Sequence, residues 1–176
     1  MSAASQRILG FAPISAPSAR VLVLGSVPGT ASLESGEYYG HPRNAFWPIM
    51  GELFGAGPDL DYATRARRLT RTGVAVWDVL RACRRTGSGD SEIERGSEVA
   101  NDFDIFFAAH SRIRAIFLNG GMAEIAWRRF AVPRMDPSLR ALPVTRLPST
   151  SPAHASRTLA QKTAAWRAVA RAALQR

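Results

Sequence analysis

The sequence is poor in cysteine and in lysine. Cys83 stands alone, which excludes an internal disulfide and any multi-cysteine zinc or iron–sulfur centre. Lys162 is the only lysine among the 23 basic residues, so a nucleophilic amine has one side-chain candidate, with the terminal amine of Met1 as the other. No apolar run approaches the roughly 20 residues of a membrane span. The opening stretch MSAASQRILGFAP lacks the charged segment and apolar core of a secretory leader. These absences predict a cytoplasmic protein with no membrane partner, no metal and no cofactor.

What is present is ordinary in amount. A length of 176 residues with 46% hydrophobic and 21% charged side chains suits one globular domain spanning 1–176. The charge is less ordinary. A net +9 with a pI of about 11.2 points to a polyanionic partner, and the guanidinium fork suits phosphate oxygens better than an ammonium does. A generally basic surface, produced by a bias toward arginine, is the alternative.

Apolar runs at 20–24, 74–77, 115–118 and 142–146 read as buried strands. Helical spacing appears at 45–54, 60–71, 102–109 and 123–130, and residues 26–43 and 84–96 read as loops. In the closing helix, 158–175, Leu159, Thr163, Trp166, Ala170 and Leu174 share one face, and Lys162 falls elsewhere as a solvated charge. Strands alternating with helices predict an α/β fold, a parallel sheet covered on both faces. Ligands in such sheets sit beyond the carboxyl ends of the strands, which directs attention to 25–44, 78–89, 119–122 and 147–156.

Three stretches there carry candidate chemistry. Gly25-Ser26-Val27-Pro28-Gly29 lets backbone approach a flat or anionic ligand, but no Gly-Lys-Ser/Thr follows, so a triphosphate site is disfavoured. In Tyr38-Tyr39-Gly40-His41-Pro42-Arg43-Asn44-Ala45-Phe46-Trp47 an aromatic ring can stack a base and the Asn44 amide can orient water. Asn44 can equally cap the helix that follows. Phe46 and Trp47 are expected in the core and Tyr38 at the surface. Leu147-Pro148-Ser149-Thr150-Ser151-Pro152-Ala153-His154-Ala155-Ser156 offers hydroxyls and backbone N–H groups suited to phosphate, or an ordinary turn with a surface His154. Asp78 and Asn119 end the second and third strands. Each is a polar group for a ligand, or simply a cap and a loop tie.

Taken together, GSVPG, YYGHPRNAFW and LPSTSPAHAS resemble the uracil-DNA glycosylase superfamily, and in detail its sixth family, the hypoxanthine-DNA glycosylases. The resemblance runs from about Phe11 to the final helix. It implies a three-layer α/β/α sandwich with a central, mainly parallel four-stranded sheet. The implied partner is DNA containing a deaminated base, met by a monomer that removes that base in base excision repair. Asn44 matches the polar residue credited with catalysis. Gly25, Ser26, Val27, Pro28, Tyr39, Asp78 and Asn119 would meet the base, and His41, Arg43, Ser149, Ser151, Pro152 and His154 the DNA backbone. Three positions depart from other branches. Val27 replaces a water-activating Asp or Asn, Ser149 a base-contacting His, and Ala153 a wedge leucine.

With Lys162 solvated and no other side-chain amine, the expected enzyme leaves the abasic strand intact. A uracil or mismatch glycosylase, a non-catalytic DNA-binding module and a small-molecule nucleotide hydrolase are the alternatives.

Overall fold

The computed structural model describes residues 4–175; Met1, with its terminal amine, lies outside the described residues. The central sheet contains β2 (Val21–Gly25), β3 (Val74–Asp78), β6 (Ala115–Asn119) and β7 (Val144–Leu147), in the order β3-β2-β6-β7. All three pairings are parallel. Val21, Leu22, Val23 and Leu24 are completely buried, as a continuous apolar run at the centre of a doubly covered sheet requires. β7 starts two residues later than the apolar run suggests and is an edge strand, with Val144, Thr145 and Arg146 exposed.

The helices α2 (Phe46–Phe54), α3 (Tyr62–Arg71) and α6 (Leu159–Leu174) pack together, Phe46 meeting Trp166 edge to face at 5.9 Å. On the opposite face lie α4 (Phe103–Ala109) and α5 (Gly121–Ala126), the latter prolonged by a wide turn over Trp127–Ala131. Phe103 and Trp127 join them at 5.0 Å. The result is a three-layer α/β/α sandwich, the architecture expected of strands linked by helix-length crossovers. Asp61 caps α3 by accepting from the Thr64 N–H at 2.9 Å, and Asp102 caps α4 through the Ile105 N–H at 3.1 Å. Among the described residues no helix is long and apolar enough to cross a membrane.

Two features depart from the sequence expectation. The stretch 26–43 contains the short helix α1 (Thr30–Ser35). A second, antiparallel sheet joins β1 (Gln6–Leu9), β4 (Leu80–Arg85) and β5 (Val99–Ala100). β4 leaves the central sheet directly after β3, so the segment 78–89 is largely strand, followed by a single 3₁₀ turn over Asp90–Glu92. The closing helix is also rotated from its expected face. Lys162, Thr163, Trp166, Val169 and Ala173 are buried, while Leu159 and Leu174 stay more than half exposed. Burial follows the 162, 166, 169, 173 row of a 3.6-residue helix.

Candidate active site

Gly25, the last residue of β2, lies in register with Asp78, the last residue of β3. The carbonyls of Gly25 and Ser26 accept from the N–H groups of Val79 at 2.8 Å and Leu80 at 2.9 Å, which locks the GSVPG turn onto the strand that follows Asp78. A Cβ at position 25 would collide with Asp78 Oδ1 and stand 3.1 Å from the Tyr39 hydroxyl, so only glycine leaves room there. The Asp78 carboxyl and the Tyr39 hydroxyl therefore converge on one small space above Gly25.

Both groups are buried and unsatisfied. Asp78 is 4% exposed, and neither its Oδ2 nor the Tyr39 hydroxyl has a hydrogen-bond partner among the described residues. Burial, and then the like charge of Asp90, pushes the Asp78 carboxyl up to about 7. Burial and then the Asp78 charge push the Tyr39 hydroxyl far above the usual tyrosine range, with the Asn119 amide pulling the other way. Unpaired buried polar groups carry a desolvation cost that pairing would relieve.

Tyr39 is held in the left-handed region at φ 56°, alone among the described non-glycine residues, a backbone cost of about 1 kcal/mol or more. Its ring stacks on Phe46 with centroids 4.0 Å apart and planes inclined by 24°. The hydroxyl points inward while the residue as a whole is only half-buried, an arrangement that suits a stacking platform. Asn44 is half-buried, and its Oδ1 accepts from the Phe46 N–H at 2.9 Å. It is thus a helix cap with its amide donors outside that bond. His41 and Arg43 are exposed, His41 Nδ1 accepting from the Arg43 N–H at 3.1 Å. Tyr38 is not at the surface. It is 3% exposed, its hydroxyl donates to the Ala12 carbonyl at 3.0 Å, and its own carbonyl accepts from Trp47 Nε1 at 2.8 Å. Carbonyl partners let the phenol tip stay inside.

The stretch 147–156 is fastened to this cluster by Thr150, which is 1% exposed. Its N–H donates to Asn119 Oδ1 and its Oγ1 accepts from Asn119 Nδ2, both at 2.9 Å, while its carbonyl accepts from the Ala45 N–H, also at 2.9 Å. Asn119 thus acts here as a loop tie. Gly120, at φ 89°, allows close approach, since a Cβ there would come within 2.6 Å of the Ser149 side chain. Ser149 Oγ accepts from the Ser151 N–H at 3.1 Å, and Ser151 Oγ from the Ala153 N–H at 3.2 Å, so both hydroxyls shape the turn. Pro152 and His154 are half-buried, and the His154 ring lies 3.3 Å from Ser156 Oγ.

Lys162 contradicts its sequence reading most directly. It is 5% exposed, and its Nζ donates to the carbonyls of His154 at 2.8 Å and Ser151 at 3.5 Å. Burial lowers its pKa. It lies on the buried face of α6 one turn before Trp166, whose Nε1 donates to the Pro148 carbonyl at 2.9 Å. The loop is held from beneath by these two side chains. Sequence reasoning also passed over Thr150 and over Asp90, whose Oδ2 accepts from Ser26 Oγ at 2.5 Å. A threonine amid serines carries no distinguishing signal, and no local pattern links residues 64 positions apart. The solitary lysine in an arginine-rich chain was the one available hint.

The uracil DNA glycosylase superfamily profile matches residues 12–175. The chain belongs to the uracil DNA glycosylase superfamily. It is 34% identical over 112 residues to a hypoxanthine DNA glycosylase of Methanosarcina barkeri, covering 63% of this chain and 70% of that protein. A hypoxanthine DNA glycosylase of Methanosarcina acetivorans is 35% identical over 115 residues, covering 65% and 72%. A solution NMR structure of a candidate uracil DNA glycosylase from Methanosarcina acetivorans superposes with a TM-score of 0.77 at 29% identity, over 97% of this chain and all of that one. Against this superfamily background Val27 is an apolar side chain 7% exposed. The polar residues that end the neighbouring strands β3 and β6 are Asp78 and Asn119.

Proposed function

We infer that this chain is a monofunctional DNA glycosylase that hydrolyses the N-glycosyl bond of deaminated bases in DNA, hypoxanthine foremost. The observation that carries the reading is the end of β2, where the buried, unpartnered Asp78 carboxyl and Tyr39 hydroxyl converge beside Gly25 and the Tyr39 ring offers a platform suited to one flat ring. The names of the Methanosarcina relatives support the choice of hypoxanthine. An extruded base stacks on the free side of Tyr39, whose other side is taken by Phe46. The GSVPG backbone and the Asp78 carboxyl meet the base edge, with Asn119 holding the neighbouring loop in place. Asn44, pinned through its Oδ1, presents its amide protons to the attacking water or to the negative charge developing on the departing base. An amide is a weak base, so Asn44 acts by orientation and electrostatics. His41, Arg43 and the 149–154 turn line the path of the DNA backbone.

A set of duplex and single-stranded oligonucleotides containing inosine, uracil, xanthine or a mismatched thymine tests this reading under single-turnover conditions. Alkali-labile abasic sites should form fastest at inosine, in the presence of chelator. No excision from any strand, with binding retained, would leave a DNA-binding module; activity on free nucleosides alone would indicate a nucleotide hydrolase.

A further inference from the structure

We propose that Asp78 is the general acid of the reaction, passing a proton from its carboxyl to N7 of the departing purine. The proposal rests on the glycosylase reading above and extends it to the leaving group. A carboxylate sealed from water without a hydrogen-bond donor would carry a prohibitive desolvation cost. Asp78 is 96% buried by its 4% exposure, and its Oδ2 has no partner among the described residues. Its main chain is fixed on both sides, the carbonyl accepting from Asn101 Nδ2 at 2.8 Å and the following N–H donating to Gly25. The side chain is held at the carboxyl ends of the strands, beside the Tyr39 hydroxyl.

The charged and titratable groups that face Asp78 keep it neutral. From the turn after β4 comes Asp90, a like charge docked on Ser26 at 2.5 Å. Burial raises the hydroxyls of Tyr38, Tyr39 and Tyr62, and the Asp78 charge adds to each. The buried Arg85 of β4 acts on Asp90. Burial and Asp90 together hold the Asp78 carboxyl up at about 7, so a substantial fraction of it stays protonated in neutral solution, where an ordinary carboxyl would have almost none.

The Asp78 O–H, with the GSVPG backbone beside it, matches a base edge made of two acceptors. Hypoxanthine presents O6 and N7 on that edge, whereas adenine replaces the O6 acceptor with an amino donor. As the bond from C1′ to N9 breaks, its electron pair stays on the purine and N7 takes the Asp78 proton, so the base leaves neutral. Water adds to C1′ and releases one proton, which restores Asp78. One water is consumed, and the products are free hypoxanthine and an abasic site.

Single-turnover excision from inosine and 7-deazainosine duplexes, across pH 5 to 9, tests the assignment with the wild type and Asp78→Asn. Wild-type excision of inosine should fall as pH rises through about 7, and 7-deazainosine, lacking N7, should be cut about 10²-fold more slowly. Asp78→Asn should lose about 10²-fold on inosine, lose the pH dependence, and treat the two substrates alike, with binding to product abasic DNA retained. Wild-type rates that are flat or rising across this range, or equal rates on the two substrates, would overturn the assignment. So would an Asp78→Asn profile identical to wild type. If the wild type excised no hypoxanthine at any pH, the glycosylase reading itself would fail, a separate result.

Discussion

At the scale of the residue, capping and chemistry meet in Asn44. Its Oδ1 is committed to the Phe46 N–H, so Asn44→Ala should remove a cap, costing about 1 kcal/mol, and should lower excision about 10²-fold. Asn44→Asp and Asn44→Ser keep a capping oxygen and lose the amide protons. Denaturant melts of these two should match wild type while single-turnover excision stays near the alanine level. Wild-type activity in either would reduce Asn44 to a cap. Asp78 has a different signature. Its carboxyl is raised from the ordinary 3.8 to about 7 in the folded chain, so the proton binds the folded state more tightly. The associated stability is fully present below about 3.8 and is lost as pH rises through about 7. Asp78→Asn should therefore melt above wild type at pH 8, by an amount that shrinks toward pH 4, as thermal melts at the two pH values would show. A variant no more stable at pH 8 would count against a neutral buried carboxyl.

Elements were legible where one signal dominated. Apolar runs located β2, β3 and β6 because strands buried on both faces leave no polar alternation to confuse them. The antiparallel sheet was not legible. β4 mixes buried Leu80, Ala82, Cys83 and Arg85 with exposed Arg81 and Arg84, a broken alternation that gives no clear strand signal when arginine is common everywhere and leaves residues 79–83 in no element and 84–96 as a loop. α6 was placed correctly in the chain but rotated wrongly, because counting apolar residues gave Leu159 and Leu174 weight that burial did not. Lys162 is the cost of that error and also its correction. A lysine fixed on the carbonyls of Ser151 and His154 is committed beneath the loop, its ammonium occupied by the backbone. Borohydride added during inosine excision should trap no protein–DNA adduct, and gels without alkali should show no strand scission. A trapped band lost in Lys162→Arg would reverse this assignment.

For the molecule as a whole, the balance of 23 basic against 14 acidic residues should make DNA affinity fall steeply with salt, as phosphate contacts release counterions. Titrations of lesion and undamaged duplexes from low to physiological salt would measure the slope. A salt-independent affinity would mean that the positive surface serves some other purpose. The candidate site was only partly legible at this scale. Each of its three segments could be picked out alone, but Thr150, through Ala45 and Asn119, sets their mutual spacing, and no local pattern encodes such a bond.

That latch bears on the order in which the protein is made. Ribosomes deliver the strand ends holding Gly25, Asp78 and Asn119 well before Thr150, and the supports of its loop, Lys162 and Trp166, later still. Because a parallel sheet with long crossovers closes late in folding, a nascent chain can bury β2 against β3 and β6 while the Thr150 latch and its supports are still missing. Competence to excise a base is thus deferred until the chain has passed Trp166, and a half-made enzyme has no finished site in which to hold a base.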